Sequence, residues 1–367
     1  MGSSFGVAVL ILYKLNSTVY YAYNAKLKIQ VYMFCEVVLL IADKIFFGKC
    51  NPEQQQMDSG ILDTLRKKLK GEKILGCIVL KNDNIVFEFY KNNKIEPEIH
   101  HIYSCTKSII SALFGICLKK GLIRDINMPI AEYFGDIINK QSDERKKQIT
   151  LYHLLTMSAG FDWPEFGEWN YFPPMRYSNN LVKFILNREL ATIPGTKMNY
   201  NSGCSHLLSA IIQQATGVKA AEIANQYLFK PLGITETRWY EMQGINLGAD
   251  GLDLKLIDMV KFGYLYLHKG YLFKKEIIPE EWVAESTVPR FLTYNDIGSY
   301  SYHWWSSSAR NDEGIEIPYY FAMGFGGQYI IVVPTYDMVV VFASREFTDT
   351  LLPMRLFREH IIKASKH

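Results

Sequence analysis

Ser104 and Lys107 stand three residues apart, in the one Ser-x-x-Lys segment of the sequence. On a helix that spacing puts both side chains on one face, so the lysine amine can reach the serine oxygen. A serine hydroxyl becomes a useful nucleophile when a base takes its proton, and a lysine withdrawn from water has a lowered pKa that suits this role. One such segment is expected by chance in a chain of this length, so the chemistry needs support from other residues.

Tyr200 and Ser202 form a second candidate set, directly before an apolar stretch of helical pattern. A phenol can carry a proton to or from a substrate when cations lower its pKa, and Ser202 could hydrogen-bond the lysine or the leaving group. The structural alternative makes Ser202 a helix N-cap and Tyr200 one packing aromatic among 24 tyrosines. Taken alone, this motif favours the structural alternative.

A glycine-rich segment, residues 324–328, leads into an apolar run near the carboxyl end. Gly324 and Gly326 would allow the backbone to approach a ligand closely. A backbone N–H at this strand edge could complete an oxyanion hole with the N–H of Ser104. The alternative is a tight turn or a bulge, and this motif alone favours that alternative as well.

The surrounding pattern predicts an α/β (α+β) fold whose strands come from both ends of the core. Two apolar runs, 74–80 and 85–90, predict a hairpin after a helix that begins at Asp58. Residues from about 122 to 290 are mostly helical in pattern. We expect one antiparallel sheet flanked by helices, an inserted helical lobe, and a cleft where they meet. Further predicted elements are helices over 104–120, 219–229, 256–268 and 354–363, and strands over 300–305, 328–333 and 338–343.

The amino-terminal segment, residues 1–56, is predicted to lie outside a hydrolase domain that spans 57–367. Its apolar run 5–13 is too short to span a bilayer, and the run 29–47 is interrupted by charges. Two alternatives stay open: membrane association through residues 1–50, or an amphipathic segment packed on the main domain. No clear cleavable signal peptide is evident, so the cytoplasm and the membrane both remain open as the location.

Charge and cysteine spacing restrict the function classes. A net charge of +3 with no basic block argues against nucleic-acid binding. The six cysteines form no Cys-x-x-Cys pair, and His-Glu-x-x-His is absent from the sequence. We therefore expect no metal and no cofactor, and a small molecule as the partner; the oligomeric state is not predicted.

The three motifs, in this order and context, resemble the serine β-lactamase and penicillin-binding-protein superfamily. The likeness is greatest to its class C-like esterase branch, which includes 6-aminohexanoate-dimer hydrolase, and it runs from about residue 58 to 346. Several further segments carry it: 103–108, 149–150, 153–157, 194–196, 232–234, 258–259, 261–263 and 304–305.

The resemblance implies a role for each site residue. It makes Ser104 the nucleophile, Lys107 its partner, and Tyr200 the general base that later protonates the leaving group. The backbone N–H groups of Ser104 and Phe325 would donate to the oxyanion, beside Gly324 and Gly326. Aromatic residues could wall the pocket, although we favour a core role for at least half of them: Trp163, Phe166, Trp169, Tyr171, Phe172, Trp304 and Trp305.

Two departures from the β-lactamase pattern bear on the substrate. Ala322 replaces a cation that would bind a β-lactam carboxylate, and Ser202 replaces an asparagine. Loss of a charge-assisted contact costs about 1.5–3 kcal/mol, or roughly one to two decades of affinity. We therefore predict a serine hydrolase that cleaves an ester or amide through an acyl-enzyme on Ser104. The alternatives are a D-alanyl-D-alanine carboxypeptidase or β-lactamase, and a catalytically silent binding protein on the same fold.

Overall fold

A nine-stranded sheet forms the centre of the protein. The computed structural model describes residues 47–140, 142–166, 170–294 and 297–366. The strands of this part of the chain are β1 Gly48–Lys49, β2 Ile74–Lys81, β3 Asn84–Tyr90, β4 His100–His101, β5 Arg238–Trp239, β6 Glu241–Met242, β7 Ile245–Asn246, β8 Leu252–Leu254, β9 Tyr271–Leu272, β10 Lys275–Glu276, β11 Phe291–Leu292, β12 Ser299–Tyr300, β13 Trp305–Arg310, β14 Glu316–Gly324, β15 Gln328–Val333 and β16 Met338–Ser344.

The large sheet joins both ends of the core, as the sequence predicts. Its spatial order is β1-β3-β2-β16-β15-β14-β13-β12-β11. The amino-terminal and carboxyl-terminal parts meet where β2 pairs with β16. All neighbours are antiparallel except β1 and β3, which run parallel. The short strands form separate small sheets, β4-β8-β5, β6-β7 and β9-β10.

Helices cover the sheet and form the segment between its two halves. In chain order they are α1 Ser59–Gly71, α2 Thr106–Lys119, α3 Ala131–Ile138, α4 Leu151–Leu155, α5 Phe172–Arg176, α6 Leu181–Leu186, α7 Ser202–Thr216, α8 Ala220–Ala224, α9 Leu256–Leu267, α10 Glu280–Thr287, α11 Leu352–Leu356 and α12 Ile362–Ala364. Single π turns extend α8 over Asn225–Phe229 and join α11 to α12 over Phe357–Ile361.

The two central strands β15 and β16 are buried on both faces, which explains their near-continuous apolar sequence. On one face, Ile331 and Val340 belong to the same apolar cluster as Leu65 of α1. The other face packs against α9, where a Cβ on Gly263 would lie 2.6 Å from a methyl group of Val339. The glycine therefore lets α9 approach the sheet closely.

Helix starts agree with capping chemistry. Asp58 caps α1 and Thr150 caps α4 through side-chain acceptors, as their positions suggest. For α7 the cap is Asn201, whose side chain accepts from the N–H of Cys204, and Ser202 is the first helical residue. Ser202 is thus free of the capping role that the sequence offered as its structural alternative.

One predicted strand is wrong, and one strand was not predicted at all. A continuous strand over 300–305 is interrupted, because β12 ends at Tyr300 and β13 begins at Trp305. His303 lies between them with φ +60°, a left-handed conformation that a strand does not contain. The long interior strand β14 was not predicted.

Part of the predicted amino-terminal segment belongs to the sheet. Gly48 and Lys49 pair with the start of β3, and Pro52–Gln55 forms a 3₁₀ turn. The rest of the segment, residues 1–46, lies outside the described residues, so the division at residue 56 and the membrane association stay predictions. Within the described ranges, no helix has the length and apolar character needed to cross a membrane.

Candidate active site

Ser104 lies in a 3₁₀ turn, Tyr103–Cys105, that leads directly into α2. Tyr103 has φ +46°, which is costly for a residue with a side chain and is maintained when surrounding contacts fix it. Those contacts include a hydrogen bond from the N–H of Ile102 to the carbonyl of Leu252, 3.0 Å, and an edge-on stack of Tyr103 with His101, 4.3 Å between ring centroids. The turn places the hydroxyl of Ser104 on the wall of a cleft.

Lys107 sits one turn further along and is 2% exposed. Its Nζ donates to Ser104 Oγ at 2.7 Å and to the carbonyl of Ala249 at 2.8 Å. Burial lowers the pKa of Lys107 from 10.5 to about 8, although the nearby carboxylates of Glu165 and Asp250 oppose that shift. Near neutral pH a usable fraction of Lys107 is therefore the free amine, which can take a proton.

Tyr200 contacts both Ser104 and Lys107. Its ring stacks with Phe166, 5.3 Å between ring centroids, and with Trp305, 5.8 Å between ring centroids. Its phenol hydrogen-bonds the side chain of Ser104, and the Nζ of Lys107 lies 5.1 Å from its ring centroid. Burial, and then the charge of Glu165, raise the pKa of Tyr200, so the phenol is neutral and is a proton donor.

Glu165 is a site residue that the sequence did not reveal. Its Oε2 accepts hydrogen bonds from the indole N–H of Trp163, 2.8 Å, and from the backbone N–H of Ser202, 2.7 Å. The hydroxyl of Ser202 donates to Oε1. The hydroxyl of Ser202 therefore has Glu165 as its partner, whereas the sequence had suggested Lys107 or the leaving group. No spacing rule predicts the contact with Ser202, because Glu165 lies in a loop and Ser202 is 37 residues away in the chain.

The glycine-rich segment closes the other side of the cleft. A Cβ on Gly324 would lie 2.3 Å from the carbonyl oxygen of Ile102, so only glycine allows β14 to approach the turn that carries Ser104. Gly327 then donates its N–H to the carbonyl of Gly324, 3.2 Å, and Gly326 has φ +75°. Phe325, at the tip of this turn, is 56% exposed.

A cleft of about 360 Å³ connects these groups. Its lining residues are Tyr103, Ser104, Glu165, Phe166, Asn170, Phe172, Tyr200, Ser202, Asp250, Met323, Gly324, Phe325 and Thr350. Most predicted site residues thus come together, with Lys107 beneath Ser104. Gly326 instead faces Phe347, where its Cβ would lie 2.6 Å from the ring. Trp169 lies outside the described residues.

The aromatic residues divide between cleft and core. Phe166 and Phe172 line the cleft, whereas Trp163, Trp304 and Trp305 are buried.

Asp250, a second carboxylate at the cleft, was not predicted. It forms an ion pair with Arg176, 3.1 Å between Nη1 and Oδ1. The described residues contain no cluster of three or more side chains suited to a metal ion.

The model of the beta-lactamase family matches residues 95–356, more than two thirds of the chain. The chain belongs to the beta-lactamase family. The 6-aminohexanoate-dimer hydrolase of Paenarthrobacter ureafaciens is a relative, 21% identical over 76% of this chain and 74% of that protein. The lovastatin esterase of Penicillium rubens is 26% identical over 47% of this chain and 47% of its own.

A solved structure of the octameric penicillin-binding protein homologue from Pyrococcus abyssi has the same fold. It superposes with a TM-score of 0.65 at 18% identity, over 83% of this chain and 76% of that one. The predicted α/β architecture and the resemblance to β-lactamases and penicillin-binding proteins are therefore confirmed. This member of the beta-lactamase family has the hydrolase fold of its relatives.

Proposed function

We propose that this protein is a serine hydrolase that cleaves small-molecule esters or amides through an acyl-enzyme on Ser104. The observation that carries the proposal is the hydrogen bond between Lys107 Nζ and Ser104 Oγ, 2.7 Å, inside a cleft. A nucleophile in contact with a buried base is the arrangement that activates a serine. The phenol of Tyr200 on the same hydroxyl adds a proton donor.

Acylation would proceed with Lys107 as the base. Its free amine takes the proton of Ser104 as Oγ attacks the substrate carbonyl carbon, and the oxyanion accepts from the backbone N–H groups of Ser104 and Phe325. Tyr200 gives its phenolic proton to the leaving alcohol or amine as that bond breaks. The ammonium of Lys107 then returns a proton to the phenolate. The resemblance implied Tyr200 as the base, but its raised pKa favours this division of roles.

Deacylation would use the same groups on water. Lys107, neutral again, takes a proton from a water molecule that attacks the acyl carbon. The Ser104 oxygen leaves and regains a proton from the ammonium. The carboxylic acid is released, and every proton that was moved returns to its starting residue.

The charge around the cleft argues against a β-lactam or a D-alanyl-D-alanine peptide as substrate. Ala322, which stands where those enzymes carry a cation, is buried in β14. The cleft contains the carboxylates of Glu165 and Asp250 instead. A substrate carboxylate would lack its charge-assisted partner, which costs about 1.5–3 kcal/mol. Two of the relatives, named 6-aminohexanoate-dimer hydrolase and lovastatin esterase, agree with a different acyl group.

Labelling with a fluorophosphonate, followed by peptide mass spectrometry, tests the nucleophile. We expect one adduct on Ser104 in the folded protein, none after Ser104→Ala, and none in urea-unfolded wild type. Turnover of p-nitrophenyl butyrate should follow the same pattern and exceed turnover of benzylpenicillin. If the probe and the ester both leave folded Ser104 unmodified, the protein is a silent binding protein and the proposal fails. Ester turnover retained by Ser104→Ala would exclude this nucleophile.

A further inference from the structure

Glu165 presents a carboxylate to the cleft, and the described residues give it no ion-pair partner. Within the described part of the chain, no lysine, arginine or histidine lies at ion-pair distance from it. Asp250 provides the contrast, because its charge is balanced by Arg176 at 3.1 Å. Lys107 interacts with Glu165 only beyond ion-pair distance, so a cationic ligand in the cleft could neutralise the charge of Glu165 at contact distance.

The surroundings of Glu165 direct hydrogen-bond donors at its carboxylate oxygens. Three donors point at its oxygens: the indole of Trp163, the backbone N–H of Ser202 and the hydroxyl of Ser202. Ser202 is the first residue of the 15-residue helix α7, whose positive dipole end also favours an anion. A carboxylate has about four acceptor positions, so one remains for a donor from the cleft.

Phe166, which follows Glu165 in the chain, and Tyr294, which contacts Phe166, present two exposed aromatic rings. Phe166, the next residue, is 62% exposed, and Tyr294 is 45% exposed. Their ring centroids are 6.2 Å apart and the rings meet edge to face. Phe166 also stacks on Tyr200, which hydrogen-bonds the Ser104 side chain. The faces of aromatic rings attract cations, and ammonium groups are often bound by such rings together with a carboxylate.

We infer that Glu165, Phe166 and Tyr294 form a cation subsite, and that the preferred ester or amide carries an ammonium group. The inference rests on the proposed function, since it names the substrate class of the same cleft. The carboxylate accepts an N–H from the ammonium, and the two rings contact its remaining face. A substrate carboxylate in this place would meet a like charge and would be rejected.

Three ligands of similar size test the subsite at pH 7: benzylammonium, benzyl alcohol and benzoate. Each is measured as a competitor of p-nitrophenyl butyrate with wild type, and by calorimetry with the Ser104→Ala variant. We expect benzylammonium to bind at least tenfold more tightly than benzyl alcohol, and benzoate to bind most weakly. The calorimetric series needs no turnover, so a failure of the proposed hydrolase leaves this test intact.

Glu165→Gln is the decisive variant, because glutamine keeps an acceptor for the donors of Trp163 and Ser202 while removing the charge. We expect the ratio between benzylammonium and benzyl alcohol affinities to fall to about one. The exposed Glu281→Gln, on α10, is the matched control and should keep the wild-type ratio. Equal affinities in wild type, or a preference that survives in Glu165→Gln, would overturn the inference. Each ratio is internal to one variant, so a partial loss of folded protein does not affect it.

Discussion

Ester hydrolysis should depend on pH through the free-amine fraction of Lys107. Burial lowers the pKa of this residue from 10.5 to about 8. Because the base must be unprotonated, kcat/KM should rise about tenfold per pH unit below pH 8 and level off above it. At pH 7 about one-tenth of the lysine is free amine, against roughly one part in 3,000 for a pKa of 10.5. The buried position therefore supplies about a 300-fold gain in active base at neutral pH.

Replacement of Asp250 by asparagine should move this pH profile to lower pH. The carboxylate of Asp250 raises the pKa of Lys107, so its removal should lower the midpoint and leave the charge of Arg176 unbalanced, which acts in the same sense. The plateau should be reached at a lower pH than in wild type. Glu281→Gln, far from the cleft lining, should keep the wild-type midpoint.

The assay is the initial rate of p-nitrophenyl butyrate hydrolysis at low substrate concentration, from pH 5.5 to 9.5, corrected for spontaneous hydrolysis. Profiles of wild type, Asp250→Asn and Glu281→Gln are compared on the same buffers. A wild-type midpoint near 10, or a midpoint that rises in Asp250→Asn, would refute Lys107 as the buried base.

Three further substitutions test the architecture of the site. Gly324→Ala should lower kcat/KM by about 100-fold, because the new Cβ would lie 2.3 Å from the carbonyl oxygen of Ile102 and would displace the end of β14, next to the proposed oxyanion donor Phe325. Gly71→Ala is the control and should be fully active, because the space around Gly71 is open. Equal activity of the two variants would contradict the close approach. Lys107→Met should abolish turnover yet raise the free energy of unfolding in urea at pH 7 by about 1–3 kcal/mol. The reason is that below pH 8 the buried ammonium destabilises the folded state, a penalty that fades between pH 8 and 10.5. A lower stability in Lys107→Met would show that its hydrogen bonds outweigh its desolvation. Trp305→Leu should remove the ring that stacks on Tyr200, and should therefore lower kcat more than it changes KM. The same variant should lose about 2–4 kcal/mol of unfolding free energy in the urea titration. An unchanged kcat would show that Tyr200 does not depend on this contact.

Spacing along one helix turn was sufficient to predict the contact between Ser104 and Lys107. The sequence also predicted the hairpin of β2 and β3 and the strand pair β15 and β16, because apolar runs and turn residues are local signals. It missed β14, in which Pro318 weakens the strand signal although the strand is interior. It also joined β12 to β13, since the left-handed backbone of His303 has no signature in a run of aromatic residues.

The remaining site features depend on tertiary contacts that no local pattern encodes. Ala249 contributes only its carbonyl to Lys107, and every residue has one. Glu165 is defined by donors from Trp163 and from Ser202, and the second lies 37 residues away. The sequence revealed the glycine-rich motif. Only the short distance between Gly324 and the carbonyl of Ile102 shows which of its glycines allows the close approach to Ser104.

The pairing of β2 with β16 also determines when, during its synthesis, the protein can complete its sheet. Lys81 and Met338 are neighbours in the sheet but more than 250 residues apart in the chain. At typical synthesis rates, β2 and β3 wait roughly 10–50 s on the ribosome before their partner strand is made. During that interval apolar strand edges are open to pairing with other chains. Folding of this hydrolase is therefore a late event of synthesis, and any shortened chain that ends before β16 leaves the sheet unfinished.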